Sequence, residues 1–229
     1  MNELKKYFSE DWCEALESAD PNVWLILASI SKKVLSERAH SPVEPPLGSP
    51  LMLKIFRDLP FYKTNVVIIG QDPYPQPEVF IGHAFGNSPT TKTISPSLAN
   101  IIAEVRAEYG EDACKDISLT SWVQQGVLLL NVAHTVVRNK PGTHTKLWEP
   151  FTRIVTRALN TKPILVWMLW GNYAQSITPV IINPGHICLK ASHPSPLGYD
   201  KTSTPFKGCG HFRACNEYLS ACNKKETEW

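Results

Sequence analysis

Four short apolar runs constrain this chain more than any other feature: Asn65–Ile69, Val127–Leu130, Ile164–Leu169, and Ile187–Leu189 with Ala191. Most are near-continuous rather than alternating, the pattern of strands covered on both faces of a parallel sheet. Between them lie segments with helix-like apolar spacing, Ser97–Tyr109, Glu149–Leu159 and Tyr173–Ile177, and His211–Asn223 forms a closing helix. This order predicts an α/β fold, a single domain with a central, mostly parallel four-stranded sheet flanked by helices.

The first forty residues read as helical, with Trp12, Ala15 and Leu16 and then Val23–Val34 at helical spacing. Asp20-Pro21 suits a helix start, with the acid at the cap and proline in the first turn. His40–Pro50 holds four prolines and reads as an extended loop, and Met52–Leu59 as a short helix. A chain of 229 residues can bury one large core. The division expected is an N-terminal helical and loop region over 1–50 and the core of the domain over 51–229.

Composition narrows the class. Hydrophobic residues are 43% and charged residues 19%, which fits a globular protein rather than a disordered one. The longest apolar run, Ile164–Trp170, is too short for a membrane span. No apolar segment comes after the basic residues at the N-terminus, so no secretory signal is read there. The expected setting is intracellular: cytoplasmic for a bacterial source, nuclear or host-cell for a eukaryotic or viral one. The six cysteines form no C-x-x-C pair and read as reduced thiols. No metal site and no cofactor are expected. A net charge of +2 neither advertises nor excludes a polyanionic partner, since charge can be segregated.

The residues just beyond each run carry the chemistry. Gly70-Gln71-Asp72-Pro73-Tyr74-Pro75 succeeds the first, Asn131 the second, Trp170-Gly171-Asn172 the third and Ser192-His193-Pro194-Ser195-Pro196-Leu197 the fourth. In a parallel sheet the carboxyl ends of the strands share one edge, where ligands of open α/β sheets bind. Asp72, Asn131 and His193 should therefore converge. Singly, an Asp-Pro reads as a turn, a lone His as a satisfied histidine and a lone Asn as a cap. Together at strand ends they read as a site.

The segments GQDPYP (70–75) and HPSPLG (193–198) resemble the water-activating and DNA-intercalating loops of family 1 uracil-DNA glycosylases. SPSLANI (95–101), QGVLLLN (125–131), HTKLWEPFT (144–152), MLWGNYAQ (168–175) and FKGCGHF (206–212) extend the resemblance in the same order, roughly over residues 50–229. It implies hydrolysis of the N-glycosidic bond of uracil in DNA, leaving an abasic site for base excision repair. Asp72 and His193 would be catalytic, Asp72 orienting water and stabilising the sugar cation, His193 donating to a uracil oxygen. Gln71, Tyr74, Phe85 and Asn131 would bind uracil. Phe85 would stack on the base, Tyr74 would exclude the thymine methyl group, and the Asn131 amide would pair with O4 and N3–H. Ser95, Pro96, Ser97, Gly171, Asn172, Ser192, Ser195, Leu197 and Lys201 would contact DNA, with Leu197 entering the vacated base stack.

On residue type alone the aromatics could be core, Leu197 a buried loop leucine and Lys201 a solvated surface charge. The sequence also departs from the pattern. Pro75 stands where the family often has histidine, Ser95 replaces a proline, Asn172 and Gly198 stand where serine is common, and residues 76–84 differ from the usual glycine- and histidine-bearing stretch. The partners expected are uracil-containing DNA, single- or double-stranded, and a proteinaceous inhibitor or replication partner, for a monomer. Two competing readings are a non-catalytic DNA-binding module on the same fold and a glycosylase of broader base specificity. No lysine nucleophile stands in the matched loops, so a covalent lyase step is not expected.

Overall fold

The computed structural model describes residues 2–229. Three helices open it, α1 (Asn2–Lys5), α2 (Glu10–Ala19) and α3 (Val23–Arg38). A two-residue strand β1 (Val43–Glu44) and the short α4 (Ile55–Asp58) lead into β2 (Val66–Gly70). Next come α5 (Pro96–Tyr109), α6 (Thr120–Gln124), β3 (Val127–Asn131), β4 (Val136–Val137) and α7 (Thr145–Leu159). The chain ends with β5 (Leu165–Trp170), α8 (Asn172–Gln175), β6 (His186–Ala191) and α9 (His211–Ala221).

The main sheet has four strands in the order β3-β2-β5-β6, and every pairing is parallel. The predicted fold class stands. Strands β2, β3 and β5 are buried along their whole length, which is why their sequences are unbroken apolar runs. Edge strand β6 is only half-buried. Its alternation of Ile187, Leu189 and Ala191 with more polar neighbours reflects that place. The register sets Gly70 beside Asn131 and Trp170 beside Ala191, so the loops after all four strands leave one edge.

Several predicted boundaries shift, each for a local reason. The helix expected over Met52–Leu59 contracts to Ile55–Asp58, because Leu53 takes a left-handed φ of 61° and breaks the turn before it. The proline-rich stretch is not wholly a loop: Val43 and Glu44 pair antiparallel with Val137 and Val136. Helix α7 starts at Thr145, four residues before the expected Glu149, and carries Pro150 in its interior. Its buried face, including Trp148, Phe151, Val155 and Leu159, secures it against α2 and α3 despite the lost backbone bond. Asp20 does introduce α3, but by accepting the Asn22 amide at 2.9 Å, so the helix begins two residues beyond the proline. Helix α8 spans Asn172–Gln175 rather than Tyr173–Ile177, and the short α6 has no counterpart among the expected helices.

The N-terminal helices share the main core. Trp12, Leu16, Val23 and Leu27 are fully buried in the same cluster as the sheet residues. Helix α5 braces the opposite side. Its Glu104 accepts the Gly208 amide at 2.8 Å, and its Glu108 accepts the Arg213 amide at 2.6 Å. Glu108 thus satisfies amino-terminal N–H groups of α9, which lacks a capping side chain at Gly210, while Glu104 holds the turn just before it. Among the described residues no helix is long and apolar enough to cross a membrane.

Candidate active site

The loops at the carboxyl edge enclose an open cleft of about 510 Å³. Gln71, Asp72, Tyr74, Phe85, Ser97, Asn131, His193, Ser195 and Leu197 all line it. These are nine of the predicted site residues, drawn from five separate stretches of sequence. Gly171 and Asn172 line a smaller adjoining cavity of about 180 Å³, which also touches Gln71 and His193.

Asp72 is half-buried at the end of β2, and the Gly142 N–H donates to its Oδ2. Burial raises its pKa above the ordinary carboxylate value, against the opposing pull of the Gly142 amide, Gln71 and His144. Gly142 holds a φ of 83°, a conformation that glycine adopts without strain. Thr145 Oγ1 donates to the Gly142 carbonyl at 2.8 Å and fixes the turn on α7.

Asn131 is 5% exposed and its amide makes no hydrogen bond among the described residues. Its Oδ1 lies where a Cβ on Gly70 would be, 2.3 Å away. The missing side chain of Gly70 therefore makes room for the amide. The amide faces the cleft and is left free to bond a ligand there.

His193 Nδ1 accepts the Ser195 amide at 3.0 Å. That bond needs a lone pair on Nδ1, so the neutral ring carries its proton on Nε2. Burial lowers the His193 pKa, which favours the same neutral form. The imidazole is seated against Gly171, where a Cβ would come within 2.9 Å of the His193 Cβ. Asn100 Nδ2 of α5 donates to the Pro194 carbonyl at 2.7 Å and holds the loop from outside.

Phe85 is buried, with its ring centroid 5.6 Å from Trp170 and 6.0 Å from His193. Its φ of 63° is unusual for a bulky residue. The Tyr74 hydroxyl donates to the Phe85 carbonyl at 2.8 Å and accepts from Ser95 Oγ at 2.5 Å. Burial pushes the Tyr74 hydroxyl up to about 12, so it remains a donor. Trp170, which lines the smaller cavity, donates from Nε1 to His211 Nδ1 at 3.0 Å and ties this wall to α9.

The remaining predicted DNA contacts fall around the rim or beneath it. Leu197 is 86% exposed, an apolar side chain held in water at the cleft mouth. Ser95 and Ser192 use their hydroxyls internally. Ser95 supports Tyr74, and Ser192 donates to the Gly198 carbonyl at 2.6 Å while accepting the Phe206 amide at 2.9 Å. Pro96 is the first residue of α5, and exposed Lys201 lines neither cavity. Tyr173 and the Pro141-Gly142 turn also line the cleft, though neither stands out in the sequence as a site residue. The Pro-Gly dipeptide marks a turn, but nothing in it points to Asp72 seventy residues earlier.

The family model of the uracil DNA glycosylase superfamily matches residues 56–220. A uracil-DNA glycosylase of Campylobacter jejuni is 37% identical over 232 residues, covering 100% of this chain and 96% of its own length. One from Porphyromonas gingivalis is 42% identical over 189 residues, covering 81% of this chain and 82% of its own. Among solved structures, the mimivirus uracil-DNA glycosylase is similar with a TM-score of 0.84 and 28% identity, over 99% of this chain and 88% of that one. A point variant of the mimivirus protein in complex with UGI is similar with a TM-score of 0.83.

Proposed function

The chain belongs to the uracil-DNA glycosylase superfamily, and from that premise we propose how its cleft hydrolyses the N-glycosidic bond of uracil in DNA. The observation that carries the reading is the convergence of Asp72, Phe85, Asn131 and His193 on one cleft at the carboxyl edge of the sheet. The finer assignment is to family 1, whose loop motifs the sequence resembles.

The reaction needs the base out of the duplex, since the cleft cannot admit a paired one; base flipping of this kind is general among DNA glycosylases. Leu197, standing free at the mouth, fills the gap left in the stack. Inside, the base lies on the Phe85 ring, and the Asn131 amide meets O4 and N3–H. Cytosine presents the opposite donor and acceptor sense there. Tyr74, locked between Phe85 and Ser95, bars a methyl group at C5.

Bond cleavage sends the electron pair of the C1′–N1 bond to uracil and leaves positive charge on the sugar. The His193 Nε2–H donates to the uracil oxygen where negative charge grows. The Asp72 carboxylate stabilises the sugar cation and orients the water that attacks C1′, taking up the proton released. The backbone amides and hydroxyls of the 95–97, 171–172 and 192–195 loops seat phosphates without demanding much net charge. An intracellular setting belongs to the same reading. So does a proteinaceous inhibitor as a further partner, supported by the mimivirus variant in complex with UGI.

The test is uracil release from a single-uracil oligonucleotide in EDTA, wild type beside Asp72→Asn. Robust release that collapses in the variant is expected. A folded wild type that binds DNA but releases no uracil would replace this reading with a binding module.

A further inference from the structure

We propose that His83, clamped to Asp58 of α4, is a positioning residue that holds Phe85 in place for the base. The inference rests on Phe85 being the surface on which uracil stacks.

His83 is 0% exposed, and its Nε2 lies 2.7 Å from Asp58 Oδ2. A carboxylate only accepts, so the proton sits on Nε2 and points at Asp58. The other ring nitrogen, Nδ1, is buried without a partner among the described residues. An aliphatic side chain would fill this space without orphaning a polar atom. What the imidazole adds is the tether to α4. Lys54 Nζ also bonds Asp58, four residues on, and steadies the acceptor. Burial opposes ionisation of Asp58, but the bonds from His83 and Lys54 hold its carboxyl below the ordinary value. The stem of Lys54 lies over Gly82, where a Cβ would meet the Lys54 Cβ and Cδ at 2.7 Å. The start of the loop is thereby fixed from above and from within.

Phe85 comes two residues later in the left-handed region, at a φ of 63°. A bulky residue stays there only when its surroundings over-determine it. Three attachments do so. His83 holds the loop to α4, the Ala84 N–H donates to the Leu129 carbonyl of β3 at 3.0 Å, and the Phe85 carbonyl accepts from Tyr74. The first of these is a single side-chain pair, with no contact to the reacting atoms. Its loss should loosen the stacking surface for ground and transition states alike, raising KM with little change in kcat.

The experiment measures kcat and KM on a single-uracil oligonucleotide, the inhibition constant for free uracil, and the thermal midpoint. The proteins are wild type, F85A, H83L, H83Q, D58A and the H83L/D58A double variant. H83L and D58A should each raise KM and the uracil inhibition constant about five- to twentyfold, a part of the worth of one charge-assisted bond, since the tether acts on the base through Phe85. Their kcat should stay within about threefold. The double variant should be no worse than either single one, because both remove the same tether. H83Q, which can still reach Asp58, should recover much of the loss. Weaker thermal stability in H83L and D58A with an unchanged uracil inhibition constant would overturn the proposal, making His83 core filler. Should H83L not fold, D58A decides, since Asp58 lies at the surface rather than in the core. If F85A leaves uracil inhibition unchanged, the stacking role of Phe85 fails instead, and the premise with it.

Discussion

His193 Nδ1 accepts a hydrogen bond from the Ser195 backbone N–H at 3.0 Å, so the imidazole is held by the loop that carries Leu197. The bond selects the tautomer with Nε2–H exposed to the cleft. His193→Ala should lower kcat by about 10²–10³-fold, as loss of one preorganised donor does elsewhere. His193→Asn, which can still donate an N–H, should retain more activity than the alanine variant. Equal activity in wild type and His193→Ala would remove His193 from the chemistry.

Asp72 and His193 are displaced toward each other in pKa. Burial raises Asp72 from the ordinary 3.8 and lowers His193 from the ordinary 6.5. In the proposed reaction Asp72 acts ionised and His193 neutral, so acidification should turn off both. The acid limb of kcat/KM should therefore lie between those two ordinary values, with full activity through neutral pH. A pH–rate profile on the uracil oligonucleotide checks this. A limb centred at or above the ordinary histidine value would contradict the neutral, buried His193.

Much of this site is legible in the sequence because strand ends in a parallel sheet are forced together. Once four apolar runs are read as parallel strands, Asp72, Asn131 and His193 have to share an edge. Phe85 is different: it sits in no strand, and only the family resemblance points to it. Other partners stay hidden because they depend on tertiary approach. Gly142 meets Asp72 through a turn on α7, and Glu108 caps a helix 105 residues away. Ser192 reads as a phosphate contact from its place beside His193, yet its hydroxyl closes its own loop. A hydroxyl's partner is set by packing that residue type does not reveal.

Buried neutral histidines should make the fold acid-sensitive. Burial drives His134 down to about 3 and His211 down to about 4, from an ordinary value of 6.5. Both are depressed in the folded state, so the unfolded chain binds protons first as pH falls. Stability from this source is intact above about 6.5 and declines below it, by about 1.4 kcal/mol per pH unit for each group, until the folded values are reached. Urea titrations at pH 7.5, 6.0 and 5.0 should show the loss. His134→Leu should flatten part of it, since the His134 ring sits among Phe56, Trp148 and Phe151 and its Nε2 has no partner among the described residues. An identical pH slope in the variant would mean that His134 is protonated in the native protein.

Gly70 offers the sharpest test of the role proposed for the Asn131 amide. It is the last residue of β2, and nothing in its backbone demands glycine, since its φ is not positive. The demand is spatial: a Cβ would stand 2.3 Å from Asn131 Oδ1 and 3.0 Å from the Ala84 Cβ. The Asn131 side chain can swing away from an added methyl group, whereas the strand it sits on cannot. Gly70→Ala should therefore keep its fold, at a cost of about 1–3 kcal/mol from overpacking. It should lose at least about tenfold in kcat/KM, because a displaced amide forfeits its bonds to the base. Asn131→Ala made in the same background should cost little more, since the amide is already out of place. Wild-type kcat/KM in a well-folded Gly70→Ala protein would mean that Asn131 does not read the base from this position.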